Sequence, residues 1–429
     1  MPDRKVHCVY RDDWTEAGLV FRTVRDERDV ERFEAFHSAI VSEAEGNTCA
    51  SLLRHHPEMT FDDFNMVEDA QTGELLSTTG LIPWLCRYEE IPLRAAMLEM
   101  VVTHPQHRHR GLIRLQMKPF HQRVSEQGYD ISIIEGIPYY YRQYGYTYAI
   151  DHRSYDSLPS YFIPDSPDPG KPSPWALQPA TPADAPRLVE LYRRTMESVA
   201  FHMERDAAFW RYLLDQAHLP VRLVVSQGDG SLAGYVASFR MGDRGTFVYE
   251  SGIRDHEAAM FALRQLKAEA GGEIRIGWPQ TGTLVQIARS LGSRPFPTYQ
   301  WLVRITDIAA FLTKIAPVLE RRLANAGCGG LTVDLIVNLF REAYVLHFAA
   351  GKLITVERAG FVDSSMGADG GDLCIPPDAF VRLVCGYRDL DELDDAWPDI
   401  VIRPGSRRWL EVLFPKMPSY WCTPYIYCG

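Results

Sequence analysis

Hydrophobic and polar positions along this chain follow two rhythms. Over residues 28–44, Val30, Phe33, His37, Ile40 and Val41 recur at three- and four-residue steps, the spacing of one helix face. The runs Glu74–Leu85 and Arg94–Val102 read as strands. The polar Glu89-Glu90 and Pro92 lie between them, which predicts antiparallel neighbours. After Gly111 the helical rhythm returns. Ile113, Met117, Phe120 and Val124 share one face, and Gly128 supplies a stop. Pro119 falls inside this pattern and is expected to bend the helix or remove one of its hydrogen bonds. A strand over Tyr129–Ile134 and an aromatic segment complete the first 150 residues.

The segment 157–175 holds six prolines and reads as a linker. A second unit follows, with a helix over 182–199, strands at Arg222–Val225 and Ala233–Arg240, and a helix over His256–Ala270. Its order of elements repeats that of the first unit, as in a degenerate duplication. No glycine bounded by basic residues precedes its helix at 256–270. A third unit begins near Asp307. It has a helix over Ile308–Ala324, strands at Leu331–Asn338, Tyr344–Ala350 and Lys352–Glu357 with Gly351 as a turn residue, and a helix over Pro376–Cys385. An aromatic tail, SYWCTPYIYCG, ends the chain. The expected division is 1–156, a linker at 157–175, 176–306 and 307–429.

Composition narrows the class. With 429 residues, 46% hydrophobic and 24% charged, the chain is a globular protein of several domains. The first residues, MPDRKVHCVYRDDW, have no apolar run, and no stretch is long enough to span a bilayer. The eight cysteines include no CxxC pair, so reduced, mostly buried thiols are expected. A cytoplasmic location follows. The net charge of -11 speaks against nucleic-acid binding and suits a cationic substrate.

Against this acidic background, THPQHRHRGLIRL at 103–115 gathers three histidines and three arginines around Gly111. The first turn of a helix leaves backbone N–H groups unpaired, and the helix dipole makes that end positive. Arginines add forked donors for phosphate oxygens. Strand, bend and helix together form a site for a pyrophosphate. GxxxxGK[ST] and GxGxxG are both absent, which removes P-loop and dinucleotide readings. The histidines do not suggest a metal. No carboxylate or cysteine accompanies them locally, and the arginines repel a cation. Cys86 reads as a buried thiol without a partner base, and Arg54-His55-His56 as a polar helix end.

VxxHPxxRxxG resembles motif A of the GNAT superfamily of N-acetyltransferases, with Ile113 where the motif has a small residue. GIPYYYRQYGY at 136–146 ends in Tyr-x-x-x-Gly-Tyr. With the length and three-part layout, this resembles the enhanced-intracellular-survival (Eis) type of acetyltransferase. The resemblance implies an α+β fold. Two tandem acetyltransferase-like domains with mixed sheets, the second without cofactor, would precede a sterol-carrier-like α+β domain. It implies acetyl-CoA as cosubstrate, a primary amine of a small cationic molecule or peptide as acceptor, no metal, no nucleic-acid or membrane partner, and a homo-oligomer, as in a hexamer.

Roles carry over residue by residue. Val101, Val102 and Thr103 would offer backbone groups to the pantetheine arm and the thioester. Freed strand N–H groups there could also serve as an oxyanion hole. Arg108, His109, Gly111 and Leu112 match the phosphate bend, with His109 where the best-known members have arginine and Arg110 to compensate. Tyr141 matches the general acid, with Tyr139, Tyr140 and Tyr144 as close neighbours. The family's base is the chain's terminal carboxylate, here that of Gly429. Glu135 and Glu99 are the side-chain alternatives. The rival reading is a catalytically silent scaffold that binds an apolar ligand in the sterol-carrier-like domain.

Overall fold

The computed structural model describes residues 14–151, 155–168, 170–242, 245–270, 272–296, 300–363 and 370–423. The first helical stripe is two helices rather than one. α1 (Glu27–Ile40) starts behind Asp26, whose carboxylate accepts from the Asp29 N–H at 3.0 Å. α2 (Glu43–His55) restarts behind Ser42, whose hydroxyl accepts from the Glu45 N–H at 3.1 Å. These caps satisfy N–H groups that the helices cannot. Gly46 lets α2 press onto α1, because a β-carbon there would stand 1.9 Å from Ser38 Oγ.

The first sheet contains β1 (Trp14–Glu16), β2 (Leu19–Thr23), β3 (Phe64–Asp69), β4 (Leu75–Tyr88), β5 (Ile91–Thr103), β6 (Ile131–Ile134) and β7 (Thr147–Asp151). β4 and β5 form the expected hairpin, in register from Ser77↔Thr103 to Tyr88↔Ile91. α3 (Leu112–Glu126) crosses from β5 to the parallel β6. It runs through Pro119 as one helix. Its buried Gln116 donates to Ser77 Oγ at 3.0 Å, and Arg123 pairs with the buried Asp63. Both contacts fix α3 over the sheet.

The second sheet orders its strands β15-β8-β14-β13-β12-β11-β9. These are β8 (Tyr155–Pro159), β9 (Trp175–Pro179), β11 (Val221–Ser226), β12 (Leu232–Arg240), β13 (Thr246–Ser251), β14 (Glu273–Trp278) and β15 (Arg294–Phe296). The short β10 (Phe201–Met203) pairs with β4 instead. Helices α4 (Ala185–Met196), α5 (Ala207–Asp215), α6 (His256–Ala270) and α7 (Thr283–Ser290) accompany these strands. β13 and β14 are parallel and joined by α6, which repeats the β5–α3–β6 crossover. Two strands pair across the divisions expected from the sequence. β8 begins the proline-rich stretch yet pairs within the second sheet. β16 (Gln300–Ile305) closes the first sheet between β6 and β7. Such long-range pairing leaves no local pattern.

The C-terminal part splits the expected helix 308–324 at Ile315 into α8 (Ile308–Lys314) and α9 (Ala316–Asn325), with Pro317 in the first turn of α9. Proline is preorganised for that turn but cannot continue a preceding helix. β17 (Val333–Asn338), β18 (Ala343–Ala349) and β19 (Lys352–Gly360) form a meander. Ala350 and Gly351 both have positive φ at the turn between β18 and β19, as a two-residue hairpin turn requires. β20 (Leu373–Cys374), α10 (Pro377–Val384), α11 (Leu390–Ala396), β21 (Val401–Ile402), α12 (Arg407–Leu413) and β22 (Ser419–Tyr420) complete the chain. The tail is tied inward. Trp301 Nε1–H donates to the Trp421 carbonyl at 3.0 Å, and β22 pairs with β10. Arg205 and Glu250, both buried, pair at 2.7 Å, and the Tyr235 hydroxyl donates to the same carboxylate at 2.8 Å. The Tyr420 hydroxyl donates to it as well, binding tail to centre. Six cysteines (Cys49, Cys86, Cys328, Cys374, Cys385 and Cys422) are free and buried, and Cys8 and Cys428 lie outside the described residues. No described helix is long and apolar enough to cross a membrane.

Candidate active site

The site begins at an irregularity in β5. Between Thr78↔Val102 and Gly80↔Glu99 one extra residue enters β5, and Met100 takes a left-handed φ of 53°. A bulge of this kind re-aims the strand. The Thr78 hydroxyl holds the Met100 carbonyl at 2.9 Å. On the other edge, pairing with β6 ends at Met97↔Ile133. Beyond that point β5 has left β6, and Val101, Val102 and Thr103 are partly exposed on the freed edge.

The bend follows directly. A 3-10 turn at Pro105–His107 leads through Arg108, His109 and Arg110 to Gly111, all four exposed. His109 and Gly111 have φ of 64° and 78°. Gly111 is the N-cap of α3 and offers no side chain to it. Among the described residues, the N–H groups of Leu112, Ile113 and Arg114 meet no acceptor, and the helical ladder starts with Leu115 N–H to the Gly111 carbonyl at 3.0 Å. Leu112 itself is buried, so only its backbone faces the bend. The second crossover differs at the corresponding place. The Asp255 carboxylate accepts from the Ala258 N–H at 2.8 Å and plugs the start of α6. One helix end is open to an anion and the other carries its own.

His104 and His107 act as scaffold in the bend. His107 Nδ1 accepts from Arg110 Nη1 at 2.7 Å, which aims that guanidinium, and His104 Nδ1 accepts from the Gln106 N–H at 3.3 Å. Glu74 approaches His107 Nε2 at 4.0 Å. Glu74, His104 and His107 lie close enough to surround a metal. However, each imidazole already spends its Nδ1 lone pair as an acceptor, so a neutral ring carries its proton on Nε2. Such rings present donors to Glu74 rather than lone pairs to a cation. The Arg108 N–H closes the turn onto the Pro105 carbonyl, while the side chains of Arg108 and His109 have no hydrogen bond or ion pair among the described residues.

The tyrosines, which the sequence leaves hard to tell apart, separate clearly. Tyr139 is 75% exposed. Tyr140 and Tyr144 meet through their hydroxyls at 3.4 Å. The Tyr146 hydroxyl is engaged by Ser132 Oγ at 2.7 Å and His121 Nε2 at 3.2 Å. Tyr141 has a buried ring, and its hydroxyl has no hydrogen-bond partner among the described residues. Burial first, and then the Glu99 carboxylate, push its phenol well above the ordinary tyrosine range. It is held as a protonated acid. Glu99, in the bulge, is partly exposed, yet its Oε1 is sealed from solvent and meets no partner. Burial, with Glu135 and Glu45 nearby, pushes this carboxyl well above the usual range. Gly429 lies outside the described residues.

Several residues that shape the site gave no chemical signal in the sequence. His37 reads there as one position of a helix stripe. The structure places it, fully buried, against Thr78 at 2.9 Å, behind the bulge. Gly136 is packed against Tyr141. The bulge at Met100 lies in an unremarkable apolar strand. A cavity of about 1000 Å³ lies elsewhere. It is lined by Trp84, Tyr192, Met196, Phe209 and His56 near the Glu89-Glu90 end of the hairpin, at the opposite end of β5 from Val101–Thr103.

Residues 27–149 match the family model of an acetyltransferase (GNAT) domain. No curated protein matches the sequence significantly. Solved structures with the same fold include a probable N-acyltransferase from Enterococcus faecalis (TM-score 0.69, 14% identity, covering 93% of this chain and 98% of that one). A GCN5-related N-acetyltransferase from Anabaena variabilis scores 0.68 at 15% identity, covering 94% and 98%. Eis1 from Mycobacterium abscessus scores 0.62 at 16% identity, covering 93% and 98%. Residues 27–149 are thus similar to an acetyltransferase (GNAT) domain, and the chain shares over nearly its whole length the fold of these solved structures.

Proposed function

We propose that the protein is an acetyl-CoA-dependent N-acetyltransferase that moves the acetyl group directly to a primary amine of a small cationic molecule or peptide. The observation that carries this reading is the open start of α3. Among the described residues, three unpaired backbone N–H groups and the unpaired guanidinium of Arg108 stand at the end of a strand that has just left its neighbour. The pyrophosphate would sit on Leu112, Ile113 and Arg114, with Arg108 and Arg110 as charged donors and His109 beside them. The acyl-pantetheine arm would lie along Val101, Val102 and Thr103, whose freed edge can hold the thioester carbonyl as charge develops on it.

Attack needs an uncharged amine, because an alkylammonium has a pKa near about 10 and no lone pair. We assign the base to Glu99, the carboxylate with the largest effect on Tyr141 among the described residues, with the Gly429 carboxylate as the alternative from the chain end. Burial raises this carboxyl above the usual range, which makes it a stronger base when ionised than an exposed glutamate. The tetrahedral intermediate then collapses, and Tyr141 donates its proton to the sulfur of coenzyme A.

The plugged α6 supports a central unit that repeats the acetyltransferase crossover without binding cofactor. The C-terminal unit is read as sterol-carrier-like on its layout of three-stranded meander and flanking helices. A cytoplasmic homo-oligomer remains part of the proposal. The test is release of free thiol from acetyl-CoA with a panel of polyamines, aminoglycosides and peptides, run beside displacement of a fluorescent lipid. Thiol release that requires an amine supports the enzyme. Lipid displacement with no thiol release for any amine supports the silent scaffold instead.

A further inference from the structure

Behind the bulge, His37 of α1 and Glu45 and Cys49 of α2 bring a ring nitrogen, a carboxylate oxygen and a sulfur within 4.8 Å of one another. Close packing at Gly46 presses the two helices together at this point. His37 and Cys49 are completely buried, and Glu45 reaches over them with 25% of its side chain exposed. The Cys49 thiol donates to Met100 Sδ at 3.0 Å, but a buried ring nitrogen without a partner is costly, so the wiring of His37 is informative.

The tautomer of His37 follows from its neighbours. The Thr78 hydroxyl has one proton and gives it to the Met100 carbonyl at 2.9 Å. Its oxygen must therefore accept from His37 Nε2–H, also at 2.9 Å. A neutral His37 then carries a bare lone pair on Nδ1. That atom is sealed from solvent, has no partner, and lies 3.9 Å from Glu45 Oε1. A ring N–H anchored to a hydroxyl and then to a backbone carbonyl is the support that metal-bound histidines characteristically have. The trio at the bend is wired the other way, with both Nδ1 atoms already accepting.

Geometry selects the ion. Zinc binds nitrogen and oxygen at about 2.0–2.2 Å and sulfur at about 2.3 Å, so two tetrahedral ligands stand roughly 3.3–3.7 Å apart. The His37–Glu45 separation is slightly larger than this, and a small shift of the flexible Glu45 side chain closes it. A thiolate, a carboxylate and a divalent ion also sum to zero charge, which suits a buried place.

We propose that His37 Nδ1, the Glu45 carboxylate and the Cys49 sulfur form a zinc site that pins α1 to α2 behind the strand bulge. Zinc replaces the Cys49 thiol proton, which gives up its contact to Met100 Sδ and leaves to solvent, so affinity rises with pH. The fourth position is left to water entering beside Glu45. The site does not depend on acetyl transfer, and neither reading's failure touches the other.

The test uses full-length protein stripped with a chelator and titrated with zinc chloride against a chromophoric competitor. One equivalent should bind, and His37→Gln, Glu45→Gln and Cys49→Ser should each weaken binding by about 100-fold, while His107→Ala leaves it unchanged. Cobalt added to wild-type protein should give a thiolate-to-metal charge-transfer band and tetrahedral visible bands, a readout that needs no variant to fold. Absence of the thiolate band, or zinc binding lost in His107→Ala but kept in Cys49→Ser, overturns the assignment.

Discussion

Gly136 makes room for the ring of Tyr141. A β-carbon at position 136 would stand 2.1 Å from Tyr141 Cδ2 and 2.3 Å from Cε2, closer than any real contact. The glycine after β6 thus sets where the phenol points. Gly136→Ala should displace the ring and lower turnover by about 100-fold, the scale expected when a reacting group moves by an ångström. Acetyl-CoA affinity, measured by calorimetry, should stay within about twofold.

Tyr141→Phe tests the acid itself. General acid catalysis contributes about 100- to 10,000-fold, so turnover should fall by at least about 100-fold with cofactor affinity kept. Because burial and Glu99 raise the folded phenol's pKa, the wild-type rate should show no basic limb from this group until well above neutral pH. Wild-type turnover in the variant would remove Tyr141 from the mechanism.

Glu99 joins function to stability. Its carboxyl binds its proton more tightly in the fold than in the unfolded chain, chiefly through burial and then through Glu135 and Glu45. The unfolded chain loses that proton near an ordinary glutamate pKa, so between the unfolded and folded pKa values the native state binds more protons. Stability therefore falls as pH rises through this window. Glu99→Gln removes the loss and should raise the melting temperature at pH 8 more than at pH 4.5, while lowering acetyl transfer. A variant that keeps full activity would move the base to the chain end, which deletion of Gly429 then checks.

Asp29 has the opposite sign. Burial pushes its carboxyl up, but the bidentate Arg22 contacts at 2.6 and 2.8 Å outweigh burial and hold it below the usual range. Its contribution is present above the unfolded pKa and is lost as pH falls through the folded value. Asp29→Asn should destabilise the protein at pH 7 and much less at pH 3, read as urea unfolding midpoints at the two values.

What the sequence made legible was local. The periodicity after Gly111 placed α3 to within a residue at its start, and His256–Ala270 matches α6 end to end. The basic bend with its glycine stood out because several signals fell within a dozen residues. Long-range pairing was not legible. Nothing near Gln300–Ile305 says that it closes the first sheet, and no spacing links His37 to Thr78 across 41 positions. The stripe at 28–44 ran through a helix break because Ser42 is an N-cap only if the chain turns there. The choice among neighbouring tyrosines depended on which hydroxyls find partners, and those partners, Ser132 and His121, lie outside the motif.

Arg108→Ala should weaken acetyl-CoA binding by about tenfold at low salt and by less at high salt, since an exposed guanidinium acts through a screened charge. The most direct measurement of the central claim is a crystal structure with coenzyme A bound. The diphosphate should accept from the backbone N–H groups of Leu112, Ile113 and Arg114, with the pantetheine arm along Val101–Thr103. A coenzyme seated in the cavity beside Trp84 and Phe209, with the start of α3 unoccupied, would contradict the account.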